Sequence, residues 1–189
     1  MWSLMELLPD NFQIDILDIG AAFNESPPYQ RLVDAGRARI MGFEPNTEEC
    51  DRLNRSYGEP HRFFPHFIGD GKPATFHETN WNLTGSLYEP NTPVLEKFQN
   101  LAELVTPVAQ HPVNTTRLDD ISEIYNVDFI KIDVQGSELK IFQNASRILS
   151  GTLLIQTEVE FVELYKGQPM FADIDTFIRG AGFQFHAFD

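Results

Sequence analysis

Apolar runs of no more than five or six residues alternate with longer amphipathic stretches from residue 14 to the end of the chain. That alternation is the sequence form of a parallel sheet whose strands are joined by crossover helices. Ile14-Asp15-Ile16-Leu17-Asp18-Ile19 reads as a first buried strand ending at Gly20. Residues 27–35 read as a helix, with Ser26 as N-cap, Pro27 at the first position and Gly36 just past the end. A second strand, 39–43, leads into a helix capped by Asn46 or Thr47 and running to Tyr57; Glu48 and Glu49 lie in its first turn, where the helix dipole favours acids. A third strand covers 62–68. The pattern resumes with a strand at 127–133, a helix at 137–149, a strand at 151–158, a helix at 173–181 and a last strand at 183–188.

The expected architecture is therefore α/β and Rossmann-like: six main strands, a mostly parallel sheet and helices on both faces. Right-handed crossovers put the strand carboxyl ends on one rim, where ligands of open sheets bind. Residues 14–189 form one domain in this reading, and 1–13 an N-terminal extension. Between 69 and 110 several Pro, Asn and Gly residues break the chain into pieces. Residues 74–77 read as a short strand, 94–101 as a helix and 80–86 as a loop able to close over a ligand.

Composition limits the function classes. A formal charge of −14 argues against a nucleic-acid backbone or an anionic membrane surface as partner. No apolar run is long enough to span a bilayer. Cys50 is the single cysteine, which excludes a disulfide framework, and the segment Met1-Trp2-Ser3-Leu4-Met5-Glu6 lacks the basic start of a signal peptide. The expectation is a cytoplasmic protein.

Three strand ends carry acids. Asp18 sits at the end of the first strand beside Gly20 and Ala21, where an anion repels a pyrophosphate but attracts the cationic amino group of an amino-acid-like ligand. Gly20 lets backbone approach a ligand closely; its bland alternative is a simple turn glycine. Glu44 ends the second strand and can accept hydrogen bonds from both hydroxyls of a ribose, with Pro45 stiffening the turn and Asn46 following. Asp70, between Gly69 and Gly71, ends the third strand and is either an adenine contact or a turn residue. Neither a Gly-x-Gly-x-x-Gly fingerprint nor a Walker loop is present, so this set points to S-adenosylmethionine rather than to a dinucleotide or ATP.

Four segments resemble the FkbM-type methyltransferases of the class I S-adenosylmethionine-dependent fold: Leu17-Asp18-Ile19-Gly20-Ala21, Gly42-Phe43-Glu44-Pro45-Asn46, Thr116-Arg117-Leu118-Asp119-Asp120 and Phe129 through Glu138. The last is the most specific, since that family shows Lys-Ile-Asp-Val-Glu-Gly followed by an acid two places on. Here Gln135 replaces the usual Glu, while Asp133, Gly136 and Glu138 are kept. The first loop also departs: the family reads Gly-Ala-Asn-x-Gly, and this chain has Gly20-Ala21-Ala22-Phe23-Asn24. The resemblance implies O-methylation of a hydroxyl on a small molecule or sugar. It places Asp18 and Gly20 at the methionine part, Glu44 at the ribose, Asp70 at the adenine and Asp133 facing the transferred methyl.

Two chemistries are open for that methyl transfer. Asp133 acts as general base, or orients a donor through Lys131 or water, with His66 and His77 as the histidines worth testing as bases. Alternatively Asp133 with Glu158 or Glu160 holds a divalent cation that acidifies the acceptor hydroxyl. A catalytically silent binding module is the rival reading, and a nicotinamide oxidoreductase a second. Class I methyltransferases finish with a reversed hairpin; this chain stops where the sixth strand is expected, so either the sequence is cut short there or this family member lacks the last antiparallel strand. The expectation is that strand 183–188 moves in beside the fifth strand, or that a second chain, in a homodimer, covers that edge.

Overall fold

A computed structural model describes Pro9, residues 12–22 and residues 27–188. Five strands make the central sheet: β1 (Ile14–Ile19), β2 (Ala38–Phe43), β3 (Arg62–Phe64), β7 (Phe129–Ile132) and β8 (Leu154–Thr157). They lie in the order β3-β2-β1-β7-β8 with every pairing parallel. All five carboxyl ends therefore emerge on one rim.

Strand β1 shows how the sequence fixes the layers. Side chains alternate across a strand, and Leu17 and Ile19 join one buried cluster while Ile16 joins the other. The first cluster packs the sheet against α5 (Glu138–Phe142), α6 (Ser146–Leu149) and α7 (Phe171–Gly180) through Ile141, Phe142, Ile148 and Ile174. The second packs its other face against Tyr29, α1 (Gln30–Asp34) and α2 (Thr47–Tyr57). Asn46 caps α2, its side-chain oxygen accepting from the Glu49 N–H at 3.1 Å. The Ser26 cap expected for the preceding helix lies outside the described residues, as do Phe23 to Glu25 and most of the 1–13 extension.

Three elements differ from the sequence reading. The strand expected over 62–68 is cut at Pro65: β3 stays in the central sheet and β4 (Phe67–Ile68) crosses into a second, three-stranded sheet. Proline has no N–H to give a ladder, so the chain changes sheets there. That second sheet, ordered β4-β6-β5, pairs β5 (Pro73–Thr79) antiparallel with the ten-residue β6 (Pro107–Thr116). Two short helices, α3 (Thr92–Leu95) and α4 (Leu101–Leu104), lie between them. Finally, residues 183–188 form no strand. Phe188 instead packs on Phe161 and Phe171 and Phe185 on Phe171, with ring centroids 5.3–6.2 Å apart, and the two rings lie 4.8 Å from each other. Ring packing has replaced ladder formation, and among the described residues β8 pairs with β7 alone.

Candidate active site

The rim opens into a cleft of about 940 Å³. Gly20, Glu44, His66 and Asp133, each following a strand of the central sheet, form one wall, and Phe67, Phe76, Glu78 and the 79–87 segment form the other. The 79–87 segment, which the sequence breaks into pieces, is thus the outer wall of the cleft. Asn80, Asn82 and Ser86 from the expected loop line the cleft; Trp81 is not among the lining residues.

Gly20 must be glycine. Its φ is +76°, and a Cβ there would stand 1.9 Å from the main-chain oxygen of Asp133. The close approach foreseen for a ligand is made first by the protein itself. Ala21 is buried in the core, and it is Ala22 that reaches the cleft.

Asp18 is buried beneath the rim rather than lining the cleft. It lies opposite Lys131 in the β1–β7 ladder, and the Lys131 ammonium is 3.1 Å from its carboxylate. The Tyr29 hydroxyl donates to the same carboxylate. Burial pushes the Asp18 carboxyl above its ordinary value, with Lys131 and Tyr29 opposing that shift. Tyr29 is raised as well, by burial and by the neighbouring Asp18 charge. Lys131 itself lines the cleft and donates to the Gly20 carbonyl at 2.9 Å.

Glu44 is half-buried on the β2 end, and burial raises its carboxyl against the lowering effect of the Asn46 N–H, which it accepts at 2.8 Å. Pro45 and Asn46 line the cleft beside it. His66 stands near them, its ring parallel within 4° to that of Phe64 at a centroid distance of 6.2 Å.

After β7 the chain builds a polar junction. The Gln135 side-chain amide donates to Asp133 at 2.8 Å and to Glu158 at 2.7 Å. Its carbonyl oxygen accepts from the Tyr165 hydroxyl at 3.0 Å, and its main-chain oxygen accepts from Ser86 at 2.6 Å. Gln135 holds a φ of +58°, a left-handed conformation that non-glycine residues rarely adopt. Burial, with the charge of Asp133, pushes Glu158 up to about 9. Glu160 is pushed up to about 7 by burial and Asp133, and the fully enclosed Glu138 also to about 7, chiefly by burial. Glu138 accepts from the Val134 N–H at 2.9 Å, tying the loop after β7 to α5.

Asp70 and Gly71 are not brought to the cleft. Asp70 closes its own turn, accepting from the Lys72 N–H at 3.2 Å and the Thr115 hydroxyl at 3.4 Å. His77 also lies outside the lining residues and bridges to Ser86 through its backbone. Among the described residues, no three or more His, Cys, Asp and Glu side chains group as metal ligands. The Gln135 amide donates to both Asp133 and Glu158. Sequence reasoning missed Tyr29 and Tyr165, since an aromatic residue in an amphipathic stretch reads as core. The one available signal was Gln135 itself, a donor where the resembled motif carries an acid.

A parallel sheet with a ligand-sized cleft over its carboxyl ends defines a Rossmann-like α/β domain. The chain belongs to the methyltransferase FkbM family, whose domain matches residues 18–185. It is a methyltransferase by that membership. No curated protein and no solved structure matches it.

Proposed function

We propose that residues 14–189 form an S-adenosylmethionine-dependent O-methyltransferase acting on a hydroxyl of a small molecule or sugar. The observation that carries this reading is the meeting of Gly20, Glu44 and Asp133 in one cleft. Its volume of about 940 Å³ accommodates a nucleoside and a small acceptor together. One Glu44 oxygen is tied to the Asn46 N–H, which fixes the carboxylate and leaves its other oxygen for ribose hydroxyls. When bound, the cofactor supplies an activated methyl on a sulfonium.

The chain's own residues then have positioning and proton-handling roles. Lys131, anchored by Asp18, holds the Gly20 carbonyl and with it the loop under the methionine part. Asp133 receives the acceptor hydroxyl, orients it and holds its proton as the new bond forms. Gln135 fixes the Asp133 carboxylate, and His66 is the second candidate base on the same wall. No helix among the described residues is long and apolar enough to cross a membrane. The buried thiol of Cys50 suits a reducing cytoplasm.

Isothermal titration with S-adenosylmethionine and its demethylated product tests the reading. Binding that Glu44→Ala abolishes supports it; unchanged affinity in that variant overturns the ribose assignment. A catalytically silent binding module draws support from the Gln135 amide, which already bonds the candidate base. Cofactor that binds but never loses its methyl across a broad acceptor panel would select that second reading.

A further inference from the structure

The cleft carries an unbalanced charge. Lys131 is the one Lys or Arg among its lining residues, and its ammonium is engaged by Asp18 at 3.1 Å and the Gly20 carbonyl at 2.9 Å. Against it stand Glu44, Glu78 and Asp133 in the lining, with Glu158 joined to Asp133 through Gln135. Behind this pair lies Glu160, 7% exposed, with its Oε2 lacking any hydrogen-bond partner. Glu138, 0% exposed, also leaves its Oε2 without a partner. Carboxyl groups gathered this closely without a cation either repel one another or keep protons, and a buried acceptor atom left unpaired is costly. The charge crowding falls when a cation reaches the group, whereas an anion there would add to it.

We propose that the acceptor is an amino alcohol whose ammonium group is held by Glu158, backed by Glu160, beside the Asp133 that receives its hydroxyl, and that acceptors bearing carboxylate or phosphate are rejected. This rests on the methyltransferase reading for the role of the bound molecule, but the binding site itself is formed by the chain alone. Asp133 and Glu158 each keep a solvent-exposed part although the Glu158 carboxyl is partly desolvated, so a small ammonium reaches them from the solvent side. The Gln135 amide donates to both carboxyl groups and fixes them, so the site is formed before any ligand arrives.

The test uses the full chain and three matched probes of similar size: 2-aminoethanol, ethylene glycol and glycolate. Each is titrated calorimetrically, with and without S-adenosylhomocysteine. The expected result is binding of 2-aminoethanol at least about tenfold tighter than ethylene glycol, with glycolate weakest, a ratio set by one charge-assisted contact. Glu158→Gln should bring the amine-to-diol ratio within about twofold. Glu48→Gln, the same charge change on the exposed side of α2, should leave it intact, which separates a local site from the overall charge of −14. Equal binding of amine and diol, tighter glycolate, no measurable amine binding, or a preference that survives Glu158→Gln overturns the proposal. A preference lost once S-adenosylhomocysteine is present assigns the carboxylates to the nucleoside and overturns it too. Failure of the cofactor reading is a separate signal, the absence of heat from S-adenosylhomocysteine.

Discussion

Lys131 and Asp18 face each other across the parallel β1–β7 ladder as an ion pair of 3.1 Å, with side-chain exposures of 19% and 5%. Their pairing follows from strand register, because side chains at matched positions of neighbouring strands share a face. Removing the ammonium strands a carboxylate that burial already pushes toward its neutral form. Lys131→Met should therefore cost about 3–5 kcal/mol of stability. Adding Asp18→Asn should restore much of it, because no buried charge remains. Urea unfolding of the two variants checks this, and an equal loss in both would refute the pairing argument.

Gly20→Ala tests the crossing of the first loop with the β7 end. A left-handed backbone costs an alanine roughly 1–2 kcal/mol, and the added methyl also meets the Asp133 carbonyl, 1.9 Å from its ideal position. The expected outcome is a loss larger than the backbone cost alone, together with weakened cofactor binding. Wild-type stability in the variant would show that the loop has room to move.

Stability should depend on pH through Glu138. Its carboxyl is raised from an ordinary 4.5 to about 7, so between those values the folded chain keeps a proton that the unfolded chain has released. Stability consequently falls as pH rises from about 4.5 to about 7 and levels off above. Glu160 and Glu158 shift in the same direction and extend the decline upward. Glu138→Gln keeps an acceptor for the Val134 N–H and removes the titration. Thermal midpoints between about pH 5 and pH 8 should then vary less in the variant, by roughly 1–3 kcal/mol equivalent. Parallel curves for the two proteins would locate the dependence elsewhere.

Gln135→Glu should alter the junction in a cation-dependent way. The new carboxylate would face Asp133 and Glu158 across contacts now 2.8 and 2.7 Å long. Like charges at such range repel, so the variant should lose roughly 1–3 kcal/mol in the absence of divalent ions. Three hard oxygen donors together suit magnesium or calcium. Millimolar magnesium should thus raise the melting temperature of the variant more than that of the parent, by mass action. An equal shift in both would show that the added carboxylate does not join its neighbours.

The central sheet was legible because its strands are short, apolar and buried. Gly20, Glu44 and Asp133 could be placed on one rim because parallel strands all point one way. Asn46 was readable as a cap because its preference is local. What escaped the sequence was set by tertiary context. The inward positions of β6 are Ala109, Val113 and Thr115, small residues between exposed His111 and Pro112, so no alternation announces a strand. Residues 183–188 do alternate, yet their phenylalanines find partners in Phe161 and Phe171, far away in sequence. Asp18 looked like a ligand contact because nothing local reveals that Lys131 is its register partner.

Tyr165 joins the two walls of the cleft, and its removal should loosen one of them selectively. Its buried hydroxyl lies 2.8 Å from the Thr84 carbonyl in the outer wall and 3.0 Å from the Gln135 side chain on the sheet side. One proton is shared between these two acceptors, so the direct loss in Tyr165→Phe is that of a single hydrogen bond, about 0.5–1.5 kcal/mol. The ring stays packed with Leu95 and Val105, so global unfolding should change little beyond that. The local effect should be larger. With the link gone, the segment from Thr84 to Tyr88 is held to Gln135 by the Ser86 hydroxyl, and to β5 through His77. Amide exchange in that segment should accelerate while β1 and β7 keep their protection, because local opening draws on the contacts nearest to it. Uniform acceleration across both regions would mean instead that Tyr165 supports the whole fold and not the wall alone.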